Sequence, residues 1–140
     1  MSKEFFYSVV VVVSLLFFSG CASTAYVVQV EAGQGEAAPG NTKSANFLAV
    51  VTESHTGAAV TSLNQSNFTI INHFSIPGQK CGFSNNITTF NNVGTGAYHI
   101  QVGLQTDIPG CEWVKGKYLA QVMVSSDKNR GQGTATLSIK

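Results

Sequence analysis

The sequence predicts an all-β protein, an antiparallel β-sandwich of about seven strands that follows an N-terminal signal segment. Three observations carry this expectation. From Asn46 onward, apolar residues recur at every second position in short runs, the period at which strand side chains alternate between core and solvent. Clusters of Gly, Pro, Asn and Asp separate the runs, as turns require. No stretch beyond the leader offers an apolar stripe at helical spacing, so a helix there would have no face to bury.

The chain opens Met1-Ser2-Lys3-Glu4 and is then apolar from Phe5 to Phe18, broken only by Ser8 and Ser14. Such a run is short for a membrane-spanning helix, which needs about 20 apolar residues. It ends in small residues, as the cleavage region of a signal peptide does. Residues 1–20 therefore read as an export signal, and the block from Val9 to Val13 is not a strand.

Phe18-Ser19-Gly20-Cys21 resembles the signal of bacterial lipoproteins, in which a small residue precedes a Cys that is diacylated and becomes the mature N-terminus. Phe18 stands where that family usually has Leu, and Lys3 is offset by Glu4. The resemblance implies lipidation of Cys21 and attachment to a membrane through acyl chains, each buried methylene contributing about 0.8 kcal/mol. Ordinary secretion with cleavage near Ala22 or Ala25, and an uncleaved anchor, are the alternative readings of the leader. Ala22 is not the Asp that retains many such proteins in the inner membrane. The resemblance thus implies a lipid-anchored protein of the cell envelope, on the outer membrane or cell surface in preference to the inner membrane.

With Cys21 given to lipid, the remaining two of three cysteines, Cys81 and Cys111, form a pair for a disulfide in an oxidising compartment. Closing a loop of about 30 residues contributes roughly 3 to 4 kcal/mol in the chain-entropy description. Two buried free thiols are the alternative; a zinc site is disfavoured because no C-x-x-C or paired His spacing is present.

Tyr26 to Val30 reads as a first strand, with a tether from the membrane as the alternative. Ala32 to Ser44 (AGQGEAAPGNTKS) has three Gly, one Pro and no large apolar residue and reads as a linker. Residues 21–44 are thus a membrane-proximal strand or tether with a linker, and 45–140 are the sandwich. Phe47, Ala49 and Val51 line one face of a run that stops near Ser54, where His55-Thr56-Gly57 turns. Phe68 and Ile70 begin the next, which ends before Pro77-Gly78, and Ile87 to Phe90 stops at Asn91-Asn92. Tyr98, Ile100 and Val102, then Tyr118, Ala120, Val122 and Val124, then Ala135, Leu137 and Ile139 complete the alternating series.

Gly116-Lys117-Tyr118-Leu119-Ala120-Gln121-Val122, a hairpin turn from Asp127 to Gly133, and Ala135-Thr136-Leu137-Ser138-Ile139 together resemble the last two strands of an immunoglobulin-like domain. Tyr118 is similar to the corner tyrosine of that fold, whose hydroxyl returns to the backbone upstream. Gly94-Thr95-Gly96-Ala97-Tyr98 repeats the Gly-x-Tyr theme, and Gly57 to Phe68 resembles the second-strand region of bacterial immunoglobulin-like modules. No Cys lies two residues after Tyr118, and Trp113 is not midway between paired Cys, as in antibody domains. The resemblance implies an immunoglobulin-like architecture, a fold that hosts many functions.

Of the 140 residues only 11% are charged, eight Lys and Arg against seven Asp and Glu, where a globular chain has roughly 25%. Without a basic surface, a nucleic-acid partner is excluded from the reading. Trp113 is the candidate ligand contact, because an exposed indole stacks on sugar rings; the alternative is a core Trp at the end of the sandwich. His55, His73 and His99 show no ligand spacing, so no metal site is expected. Asp127-Lys128-Asn129-Arg130-Gly131 begins like a calcium loop but lacks the closing Glu. No Gly-x-Ser-x-Gly occurs, and Glu53, Asp107, Glu112 and Asp127 show no reason to pair, so no catalytic residues and no cofactor are assigned. The Asn-x-Ser/Thr sequences at Asn64, Asn67 and Asn86 read as turn residues.

The expectation is a non-enzymatic, membrane-anchored lipoprotein whose sandwich binds a protein or glycan partner of the envelope or serves there as a structural subunit. The alternative is a carbohydrate-binding accessory protein or small envelope hydrolase using Trp113 and the loop from Pro109 to Glu112.

Overall fold

The computed structural model describes residues 25–140 apart from 39, 74 and 75. The signal segment 1–20 and the lipidation candidate Cys21 lie outside the described residues. The described residues form eight strands: β1 (Tyr26–Ala32), β2 (Gln34–Gly35), β3 (Ala45–Glu53), β4 (Phe68–Asn72), β5 (Ile87–Gly94), β6 (Ala97–Val102), β7 (Gly116–Ser126) and β8 (Asn129–Ile139). The alternation in sequence sets their faces. In β3, Ala45, Phe47, Ala49 and Val51 are buried, and in β7 Tyr118, Ala120, Val122 and Val124 are.

Two four-stranded sheets result, ordered β1-β3-β6-β5 and β2-β8-β7-β4. With the strands lettered in chain order as A, A′, B, C, D, E, F and G, these are the ABED and A′GFC sheets of an immunoglobulin-like sandwich. Their inner faces share one core, in which Phe47, Ile70, Tyr98, Ile100, Tyr118 and Leu137 are almost wholly buried. One pairing departs from the expected antiparallel plan, since β2 runs parallel to β8.

That pairing corrects the expected linker. The chain leaves the first sheet at Gly33, whose N–H donates to the Asn46 carbonyl, and joins the free edge of β8. There Lys140 N–H donates to the Gly35 carbonyl and Ala37 N–H to the Lys140 carbonyl. A Cβ on Gly35 would lie 2.6 Å from Ile139 Cδ1, far inside contact distance. Small residues here reflect a close crossing between sheets, and Tyr26 to Val30 is a strand of the sandwich itself, with β1 running on to Ala32.

The last hairpin is tighter than expected. Its turn is Asp127-Lys128 alone, with Ser126 already opposite Asn129, and Asp127 adopts φ 49°. Gly131 and Gly133 are strand residues. A Cβ on them would come within 2.4 Å of the Tyr26 and Val28 carbonyl oxygens, so their glycines admit β1 against β8.

The Asn91-Asn92 stop is also overrun: β5 continues to Gly94 with irregular register against β6. Thr95 and Gly96 then form a two-residue turn at φ 50° and 75°, the positive values that match hairpin twist. Gly57 to Asn67 forms the crossing between sheets and not a second strand. Val60 and Leu63 anchor it in the core, and Tyr98 Oη donates to the Val60 carbonyl at 2.6 Å and accepts from Leu63 N–H.

The registers give the sandwich two distinct ends. At one end Tyr26 lies opposite Glu53, Val50 opposite Ala97 and Ser126 opposite Asn129. Ala45 and Ile87 both lie opposite Val102 at the other end, where Gly116 faces Ile139. Three of the four long connections after β2, spanning 36–44, 73–86 and 103–115, belong to this second end, while the fourth, 54–67, starts and finishes at the first.

Candidate functional site

The loop end is built around the disulfide Cys81–Cys111, whose Cα atoms are 5.6 Å apart. It joins the β4–β5 connection to the β6–β7 connection, so neither long loop can move away from the other. Gln79 straps the same two loops. Its Nε2 donates to the Cys81 carbonyl at 2.7 Å and to the Glu112 carbonyl at 3.1 Å, while its Oε1 accepts from Val114 N–H and Tyr118 Oη. Gln79 is positioned by a tight turn at Pro77-Gly78, closed by its own N–H to the Ile76 carbonyl, with Gly78 at φ 90°. Sequence reasoning found the Pro-Gly turn but had no signal for the Gln that follows it.

Tyr118 forms the expected corner: its hydroxyl lies 2.8 Å from the Val114 carbonyl. Burial raises the phenol above its ordinary pKa, partly offset by the Val114 N–H that donates to the hydroxyl oxygen. The group stays neutral and keeps its proton to donate.

Trp113 is a core residue. It is 4% exposed, packs against Tyr118 and Phe83 with ring centroids 5.4 and 5.8 Å away, and donates its indole N–H to the Lys43 carbonyl at 2.7 Å. Its role as a sugar-stacking contact is corrected on that ground, because no open indole face remains for a sugar ring. Instead Trp113 ties in the third loop: Trp113 N–H donates to the Asn41 carbonyl, and Glu112 accepts from Gly40 N–H. Beside it a depression of about 290 Å³ is lined by Gln34, Glu36, Asn41, Lys43, Ser44 and Trp113, among others.

The outcome is one surface of three cross-braced loops. Asn86 adds to the bracing by donating its amide to the Gly103 and Leu104 carbonyls. Glu36, Lys43, Lys80, Asp107, Glu112 and Lys115 all lie on these loops. Among the described residues, by contrast, the outer face of the β1-β3-β6-β5 sheet carries one charged side chain, Glu31. A chain poor in charge has collected much of it where the backbone is most irregular.

Other candidates are dispersed. His99 bonds Asn46 on the outside of one sheet, His73 bonds Gln121 on the outside of the other, and His55 lies in the turn after β3. Among the described residues no three of His, Cys, Asp and Glu come together as a metal site would need. Glu53 and Asp127 stand at the Tyr26 end, opposite Asp107 and Glu112. The Asn-x-Ser/Thr residues hold backbone: Asn64 caps the turn Gln65–Asn67 and Asn67 donates to the Ser125 carbonyl.

No protein-family model matches the chain, and no curated protein matches it. Among solved structures it is similar to the PKD domain of human KIAA0319, at 16% identity, TM-score 0.47, and coverage of 87% of this chain and 88% of that one. A chimeric titin Z1Z2 is similar at 11% identity and TM-score 0.39, covering 79% of this chain and 88% of that one. Titin M4 is similar at 11% identity and TM-score 0.37, covering 80% and 90%. The assignment of an immunoglobulin-like sandwich rests on the strand order and registers of the molecule itself.

Proposed function

We propose that this chain is a lipid-anchored, non-enzymatic binding module of the cell envelope, and that its braced loop end receives a protein partner. The single observation behind the binding role is the Cys81–Cys111 bridge with Gln79 across it. Long loops ordinarily lose entropy on binding, and pre-ordering them removes that cost. The charged side chains on this end supply specificity that the outer face of the β1-β3-β6-β5 sheet, with Glu31 alone, lacks. Glu112 accepts from Gly40 N–H and so serves the bracing of this end. The depression beside Trp113 supports a second reading, a small polar ligand such as a sugar bound by Glu36, Asn41 and Lys43.

The anchor is supported by the resemblance of Phe18 to Cys21 to a lipoprotein signal. Wild-type protein is expected in the membrane fraction, with a mature N-terminus heavier than Cys21 by its acyl groups. Cys21→Ser should appear in the soluble fraction. Membrane association unchanged by Cys21→Ser, or a mature chain starting elsewhere without lipid, contradicts the anchor.

A further inference from the structure

Ala25 already belongs to the sandwich: it forms a parallel bridge to Arg130 and its carbonyl accepts from Ser54 N–H at 2.9 Å. The stretch with linker composition lies inside the domain, as the crossing from β1 to β3 that carries β2. Only Ala22, Ser23 and Thr24 separate Cys21 from Ala25. Whatever conformation they take, four peptide steps span at most about 14 Å.

We infer that the Tyr26 end of the sandwich is a membrane-facing surface, held against a lipid bilayer by this short leash, and that the braced loops point away from it. This rests on the proposed lipidation of Cys21 and adds the orientation that the fold imposes on it. The turns that share this end with Ala25, at 54–56, Thr95-Gly96 and Asp127-Lys128, face the headgroups. β7 has 11 residues and a length of about 36 Å, which places the Cys81–Cys111 loops roughly 35 to 50 Å above the membrane.

Charge does not set this orientation. Lys128 and Arg130 stand beside Asp127 and Glu53 at the membrane-facing end, so attraction to anionic lipid is nearly balanced. The orientation should therefore hold on zwitterionic lipid and at high salt. A partner must accordingly reach the loops within that height, because the domain has no long tether on which to travel.

The test uses the mature lipidated protein in phosphatidylcholine nanodiscs carrying nitroxide-headgroup lipid. Amide signals of Ser54 to Gly57 and of Asp127-Lys128 should broaden beyond detection, while those of Gln79 to Cys81 and Cys111 to Trp113 keep their intensity. Inserting a Gly-Ser spacer of about 12 residues after Ser23 should remove the contrast. Broadening centred on the Cys81–Cys111 loops, or no contrast between the ends in lipidated protein, overturns the orientation alone. Protein that carries no lipid and does not enter the nanodiscs overturns the anchor and the orientation together.

Discussion

Replacing Cys81 and Cys111 together by Ala should lower the unfolding free energy by about 3 to 4 kcal/mol, read from the midpoint of urea unfolding. The bridge closes a sequence separation of 30 residues, and its loss releases that loop in the unfolded chain. Both sulfurs are buried in the core cluster with Phe83 and Trp113, so the double variant also loses packing beneath the loops. Gln79 and Asn86 would then hold the two loops together through hydrogen bonds worth about 1 kcal/mol each. A loss below about 1 kcal/mol would mean that the bridge constrains neither the unfolded chain nor the loop end.

Trp113→Ala should cost about 3 to 5 kcal/mol, the range for removing a large aromatic from a packed core. The indole is wedged among Phe83 and Tyr118 and satisfies the Lys43 carbonyl. Its removal opens a cavity under the disulfide and frees the Asn41–Lys43 segment. Trp113→Phe should cost less, keeping aromatic packing while losing the bond to Lys43. Melting curves of the two variants separate a core residue from a sugar platform. An unchanged melting temperature in Trp113→Ala, with loss of binding to a glycan, would restore the ligand-contact role.

The sandwich was legible because its strands each bury one face. Tyr98, Ile100 and Val102 alternate with His99 and Gln101, and that period leaves little choice of structure. The same period put Tyr118 on the inner face, and its resemblance to the corner tyrosine of immunoglobulin-like domains implied the return to the backbone upstream, at Val114. Glycine was where the reading went astray. Gly35, Gly131 and Gly133 look like turn or linker residues in sequence, yet each sits where another segment approaches too closely for a Cβ. Close approach of backbone is a tertiary fact, with no local period to announce it.

The loop end was harder to read for a related reason. Cys81 and Cys111 could be paired once Cys21 was set aside, but Gln79, Asn86 and Asn41 act through single hydrogen bonds to distant carbonyls. Side chains of this kind carry no periodic signature. Trp113 could be read two ways because aromatic residues serve cores and binding platforms alike. Burial decides between those roles, and burial depends on Phe83 and Lys43, which lie 30 and 70 positions away in the sequence.

Site-specific photo-crosslinking in intact cells tests the binding role most directly. A photoreactive residue at Lys80 or Lys115 samples the loop end, and one at Gln132 or His99 samples the two sheet faces. If the braced loops receive the partner, a discrete crosslinked envelope protein forms from Lys80 and Lys115 and is absent from Gln132 and His99. Crosslinks that form from the sheet faces and not from the loops would contradict it.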